Sequence, residues 1–300
     1  MSLVSILAAF GAGVFATIVG SLPTFIMVGV IAIAGAAVSM AGGADLIVGY
    51  VAFGNFFGPH VAFTPALIAT AYAANVLGKN QARLTTSGSV DAYPITNPTD
   101  LTVSMNTTKD CRVLLVGGFS AILGFLIQYL YANVLKLQTD TVAMTVVTLG
   151  IIGRFAVGKS GLFGNAPQKK FISTGNELVF NILIGVCVSI LISYLGQSMI
   201  DAGVSPELMA SYPTLCFGIS AVTLIFAQTG KDVPGTHHIT IVAANALILS
   251  GNPLIGVLFG TISTIIGDIA GNSVNSNVDS HIDPPAMAIF ISMFILNFIF

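Results

Sequence analysis

Residues 176–200 read NELVFNILIGVCVSILISYLGQSMI, an apolar run whose one charge, Glu177, sits at its start. An α-helix needs roughly 20 such residues to cross the hydrocarbon core of a bilayer. A membrane β-strand would be about 10 residues of alternating polarity, whereas this run is longer and uniformly apolar. The pattern recurs along the chain. Apolar segments fall at 3–20, 23–41, 44–57, 60–78, 112–136, 140–158, 176–200, 213–228, 236–250, 253–271 and 284–300. The expected fold class is all-α, a polytopic transmembrane helical bundle.

Composition agrees. Ten basic and twelve acidic side chains in 300 residues make 7% charged and leave a net charge of −2. Soluble domains carry roughly 25% charged residues. Hydrophobic residues make up 55%, and mean hydropathy is +0.93. These figures exclude a soluble enzyme and a disordered chain, and leave no basic surface for nucleic acid. With the polar loops 79–112 and 159–175 set aside, roughly 28 residues per helix and turn allow about nine crossings at most. Residues 1–300 therefore read as a single integral membrane domain whose partner is the lipid bilayer. The N-terminal residues lack the positive stretch of a cleaved signal and read as a retained helix. Cys111, Cys187 and Cys216 show no CxxC spacing and read as inert thiols. No phosphate loop, nucleophile elbow or haem motif occurs, so no enzyme is expected.

Lysine and arginine suggest the orientation. Lys79, Arg83, Lys109 and Arg112 fall in one loop, and Arg154, Lys159, Lys169 and Lys170 in another. Two helices separate them, which puts both loops, 79–112 and 159–170, on one side. The positive-inside rule makes that side cytoplasmic. Loop 199–212 has acids and no base, as the opposite side should. The turn from Lys136 to Asp140 would be external.

Segments 44–57, 213–228 and 236–250 are short for a full span, which suggests broken or re-entrant helices. Three places interrupt the apolar pattern alike, with Gly, Pro or Asn, then His, then a fresh apolar run. They are Gly54–His60, Gln228–His238 and Gly267–Pro285. Ile47–Ala52 resembles Ile265–Ala270, and His60 with Pro65-Ala66 resembles His281 with Pro285-Ala286, which raises an internal repeat as an expectation. Backbone groups freed at a break cannot face lipid, so they must be buried in protein or line a wet cavity. Charges at that depth cost about 2.5–3.5 kcal/mol each.

The candidate site is therefore the place where the three breaks converge, with Asn55, His60, Asp232, His238, Asp268, Asn272, Asp279 and His281 as binding residues. The acids would bind or couple a cation, and the histidines would bind solute or relay protons. No cofactor is expected. A bound sodium or other cation at the Asp/Asn-rich segment stays open, as does a transition metal on Asp268, Asp279, Asp283 and His281. The expected function is a permease for a small polar or charged solute. Two rivals remain: a passive channel, and a non-transporting subunit of a larger membrane complex. The chain is expected to form a homo-oligomer or to belong to a larger membrane complex.

Overall fold

The apolar runs become helices, and glycine, proline and capping side chains set their ends. A computed structural model of the chain describes residues 1–78 and 94–300. Lys79, Arg83 and Asp91 of the polar loop lie outside the described residues. Ten helices of ten residues or more are present, and no strand occurs among the described residues.

The first half holds α1 (Leu3–Val19), α2 (Ser21–Met40), α3 (Phe63–Tyr72, extended as a wider turn over Ala73–Gly78), α4 (Cys111–Tyr129, extended over Leu130–Val134) and α5 (Thr141–Val157). The second half holds α6 (Asn176–Asp201), α7 (Tyr212–Val222, flanked by turns Pro206–Met209 and Ile225–Gln228), α8 (His237–Ser250), α9 (Pro253–Val274) and α10 (Pro284–Ile299). Five stretches are long and apolar enough to cross a membrane: Ser21–Met40, Cys111–Val134, Asn176–Asp201, Pro206–Gln228 and Pro253–Val274. The helices α1, α3, α5, α8 and α10 are apolar but shorter.

The two halves pack alike. α1 lies along α4, and α6 along α9. In the first pair a Cβ on Gly117 would stand 2.0 Å from Thr17 Oγ1, and one on Gly13 would stand 2.5 Å from Ala121 Cβ. In the second pair a Cβ on Gly260 would stand 2.1 Å from Ser189 Oγ, and one on Gly185 would stand 2.4 Å from Thr264 Oγ1. Thr17 donates its hydroxyl hydrogen bond to Gly13 O at 2.7 Å, and Ser189 donates to Gly185 O at 2.6 Å. Small residues thus bring backbones together with the hydroxyls turned onto their own helix.

Across the halves, α2 crosses α7 through Gly29 and Gly218, each beneath the other's carbonyl. The first turns of α5 and α10 run antiparallel. Thr139 Oγ1 donates to Phe290 O at 2.6 Å, while Gly150 of α5 lies beside Ile282, just ahead of α10.

Three expectations change. Ile47–Ala52 forms a short π-helical turn, whereas Ile265–Ala270 lies inside α9, so those two stretches are not structural counterparts. The described part of the polar loop is partly folded. Ile95 and Met105 are buried against α3 and α4, and Leu101 O accepts the Leu22 amide. Arg154, expected among the loop charges, is a buried member of α5, 1% exposed. Its guanidinium donates to Leu162 O, Val274 O, Asn275 Oδ1, and both Ser280 Oγ and Ser280 O. A planar fork with five donors can serve this many acceptors at once.

Candidate functional site

Two helices begin at a shared cavity. Asp140 precedes α5 and accepts the Ala143 amide at 2.8 Å. Asp283 precedes α10 and accepts the Ala286 amide at 2.8 Å. An aspartate at this position satisfies an amide that the helix leaves without a partner. Both carboxylates line a cavity of about 290 Å³ between the halves.

The other walls come from the breaks. Pro59 comes from the first break and Phe53 from just before it, His237 from the second, and Phe25, Phe63, Thr214 and Phe217 from the helices beside them. The rings form one cluster. Phe25 lies 5.2 Å from Phe63 and 5.8 Å from Phe217, and Phe53 lies 5.5 Å from Phe217. The His237 ring sits 4.9 Å from Phe25 and 5.6 Å from Phe217. His237 is 5% exposed, and its Nδ1 finds no hydrogen-bond partner among the described residues. The lining includes no lysine or arginine.

All three breaks therefore reach one cavity, but through residues next to those expected. Pro59 lines it in place of His60, His237 in place of His238, and Asp283 in place of Asp279 and His281. His60 is buried, with its carbonyl facing Gly124 of α4. His281 stays close, with Nε2 3.5 Å from Asp283 Oδ1. Asn55 donates to Ser5 O at 3.2 Å, and Asp232 is exposed.

Two of the expected residues meet elsewhere. His238 and Asp268 line a second cavity of about 170 Å³ with Asn181 and Pro284. Asp268 is tied down there. It accepts the Ser173 amide at 2.8 Å, the Ser173 hydroxyl at 2.6 Å and Asn181 Nδ2 at 3.0 Å. Asn272 Nδ2 donates to Asp268 O at 2.9 Å. Asp279 accepts the Lys159 amide at 2.5 Å and the Ser160 hydroxyl at 2.6 Å, and its carbonyl accepts Asn75 Nδ2 at 2.6 Å. Both carboxylates thus anchor the loop after α5. Among the described residues no three His, Cys, Asp or Glu side chains come together to hold a metal ion. Asp268, Asp279, Asp283 and His281 are thus not gathered into one donor set.

Asp140 and Arg154 are the residues that sequence reasoning misplaced, and Asp283 and His237 the ones it weighed without choosing. A signal for the aspartates was present. Asp140-Thr141-Val142-Ala143-Met144 matches Asp283-Pro284-Pro285-Ala286-Met287 as D-x-x-A-M. At the same offset, GGFSAILG (117–124) matches GTISTIIG (260–267) as G-x-x-S-x-I-x-G. A further pair, Ser21-Leu22-Pro23-Thr24 and Ser211-Tyr212-Pro213-Thr214, opens α2 and α7.

The chain belongs to a family of unknown function (DUF7973), whose model matches residues 1–174 and 183–300. No curated protein matches it. No solved structure matches it either.

Proposed function

We propose that this chain is a multi-pass integral membrane permease for a small polar or charged solute, built from two inverted five-helix repeats around the central cavity. The observation that carries the reading is that cavity, at which two capped helix starts and all three breaks meet. Discontinuous helices ending at a site between repeats are a common transporter plan.

Two further features support it. Large apolar side chains cover the outside: Phe180, Leu183, Leu191 and Tyr194 on α6, and Phe119 on α4, are all exposed. An apolar exterior of this extent suits lipid rather than water. The repeat reading rests on the paired motifs and on the equivalent glycine contacts of α1 with α4 and α6 with α9. Five helices in each half would turn the second copy over relative to the first, which fits the antiparallel run of α5 beside α10. The basic loops around 79–112 and 159–170 would face the cytoplasm.

The test uses the purified full chain in proteoliposomes, offered panels of small ammonium, carboxylate, phosphate and sugar solutes. Flux of one class is expected, and Val146→Phe, which fills the cavity, should abolish it. Flux of none, or flux indifferent to Val146→Phe, would overturn the reading. Uphill accumulation on a proton or sodium gradient separates a coupled permease from a passive channel.

A further inference from the structure

The lining of the central cavity is chemically lopsided, and that bears on what it would hold. Among the described residues it has two carboxylates, one histidine and no lysine or arginine. Each carboxylate caps a helix N-terminus, which carries roughly half a positive charge. With both carboxylates ionised and His237 and His281 neutral, two full negative charges against two half positive ones leave the site negative by about one charge. An anionic solute is therefore disfavoured.

A hard metal cation also fits poorly. Calcium takes 6–8 oxygen ligands, roughly, and magnesium demands an octahedron. Among the described residues the only side-chain oxygens in the lining are those of Asp140, Asp283 and Thr214, and each carboxylate already accepts a helix amide. Apart from the His237 ring, the other lining side chains are carbon. Phe25, Phe63 and Phe217 hold ring contacts of 5.2–5.8 Å, so several aromatic faces and edges surround one space. Aromatic faces attract cations, more strongly where water is excluded. The buried Nδ1 of His237 adds a polar group that no described residue satisfies, and buried polar atoms are normally satisfied.

Carboxylates, aromatic carbon and too few oxygens for a bare metal together describe one ligand chemistry. We propose that the central cavity binds a small organic ammonium ion, with its charge toward Asp140 and Asp283 and its carbon body against Phe25, Phe63 and Phe217. This rests on the permease reading of the same cavity and names its substrate class. The volume of about 290 Å³ leaves room for an organic body rather than a lone ion.

The test is calorimetric titration of the detergent-purified full chain with three probes of one shape: benzylammonium, benzyl alcohol and benzoate. Benzylammonium should bind saturably and at least tenfold more tightly than the other two. The double variant Asp140→Asn/Asp283→Asn should weaken it at least tenfold, because asparagine keeps the helix caps and removes the charge. Circular dichroism checks that the variant keeps its helix content. Should it unfold, Val146→Phe in the same cavity serves instead, and must also abolish saturable binding. Benzoate binding as tightly as the amine, or amine binding untouched by the variants, overturns the proposal. Binding in detergent requires no transport. Amine binding with no flux of any solute therefore sinks the permease reading alone. Flux of another solute class without amine binding sinks the ammonium site alone.

Discussion

Asp140 and Asp283 cap α5 and α10 through bonds of the same length to the third amide of each helix, yet the chain before them is held in different ways. Ahead of Asp283, the loop at 275–283 is bound from several sides. Arg154 reaches Val274, Asn275 and Ser280, Asn75 holds Asp279 O, and Asp279 grips the start of the loop after α5. Ahead of Asp140, the turn at 135–139 has an exposed Leu135 and one long-range bond, Thr139 to Phe290. The two caps that face the cavity match, and the scaffolding behind them does not. Position matters at the cavity, whereas the means of holding it is free to vary.

The largest effect should come from breaking the stronger scaffold. Arg154→Met leaves several buried carbonyls and hydroxyls without a donor, each worth about 1–3 kcal/mol. A loss of roughly 3–5 kcal/mol is expected in reversible unfolding followed by helix content. Arg154→Lys should rescue little, since one ammonium cannot span the acceptors that a fork reaches. The counterpart position in α10, at the offset that pairs Asp140 with Asp283, is the exposed Asn297. Asn297→Ala should stay within about 0.5 kcal/mol of the parent. Equal losses at the two positions would show that the loop ahead of α10 is no more firmly held than its partner.

A second comparison concerns what each half places against its glycine. A Cβ on Gly124 would stand 2.0 Å from His60 O, a backbone atom, whereas one on Gly267 would stand 3.0 Å from the His238 ring. A ring can tilt, but a carbonyl at a helix break moves only with the chain. Gly124→Ala should therefore cost about 1–3 kcal/mol and Gly267→Ala clearly less. The reverse order would mean that the break before α3 is the softer of the two.

These contrasts also explain how far the sequence could be read. Helix content and the apolar exterior follow from runs such as 176–200, where composition alone decides. The three breaks were legible because Pro lacks an amide hydrogen and clustered Gly and Asn favour turns. Which side chain of each break faces inward was not, because that depends on rotation about helices whose apolar residues cover every side. His237 and His238 are neighbours about 100° apart on α8, and one lines the central cavity while the other lines the smaller one. Arg154 looked like an orienting charge because nothing local marks its acceptors, and all of them but Leu162 O lie more than a hundred residues away in the chain. Asp140 looked like a turn residue until its D-x-x-A-M context was set beside that of Asp283.

The caps themselves should be worth less. Asp140→Ala and Asp283→Ala each remove one amide acceptor at a helix start, at about 1 kcal/mol. The asparagine variants should stay within a few tenths of the parent. If Asp283→Ala costs several times more than Asp140→Ala, the bond set around 275–283 depends on that carboxylate, and the two caps are not interchangeable parts.

The smallest effect belongs to a third aspartate, which caps a helix away from the cavity. Asp110 precedes α4, accepts the Arg112 amide at 2.9 Å and pairs with the Arg112 guanidinium at 2.6 Å. The bond from Arg112 holds its carboxyl below the ordinary aspartate value. A lowered pKa means that the folded state binds the proton less well than the unfolded state does, so the pair stabilises above the unfolded value, near 3.9, and fades as pH falls through the folded one. Arg112 is 62% exposed at its side chain, so solvent screens the pair and its worth is under about 1 kcal/mol. Asp110→Asn keeps the cap and loses the charge. Its stability deficit should be constant from about pH 5 to 8 and close below about pH 4. A deficit that grew on acidification would mean that Arg112 destabilises the charged cap, and Asp110 could no longer serve as the reference outside the cavity for Asp140 and Asp283.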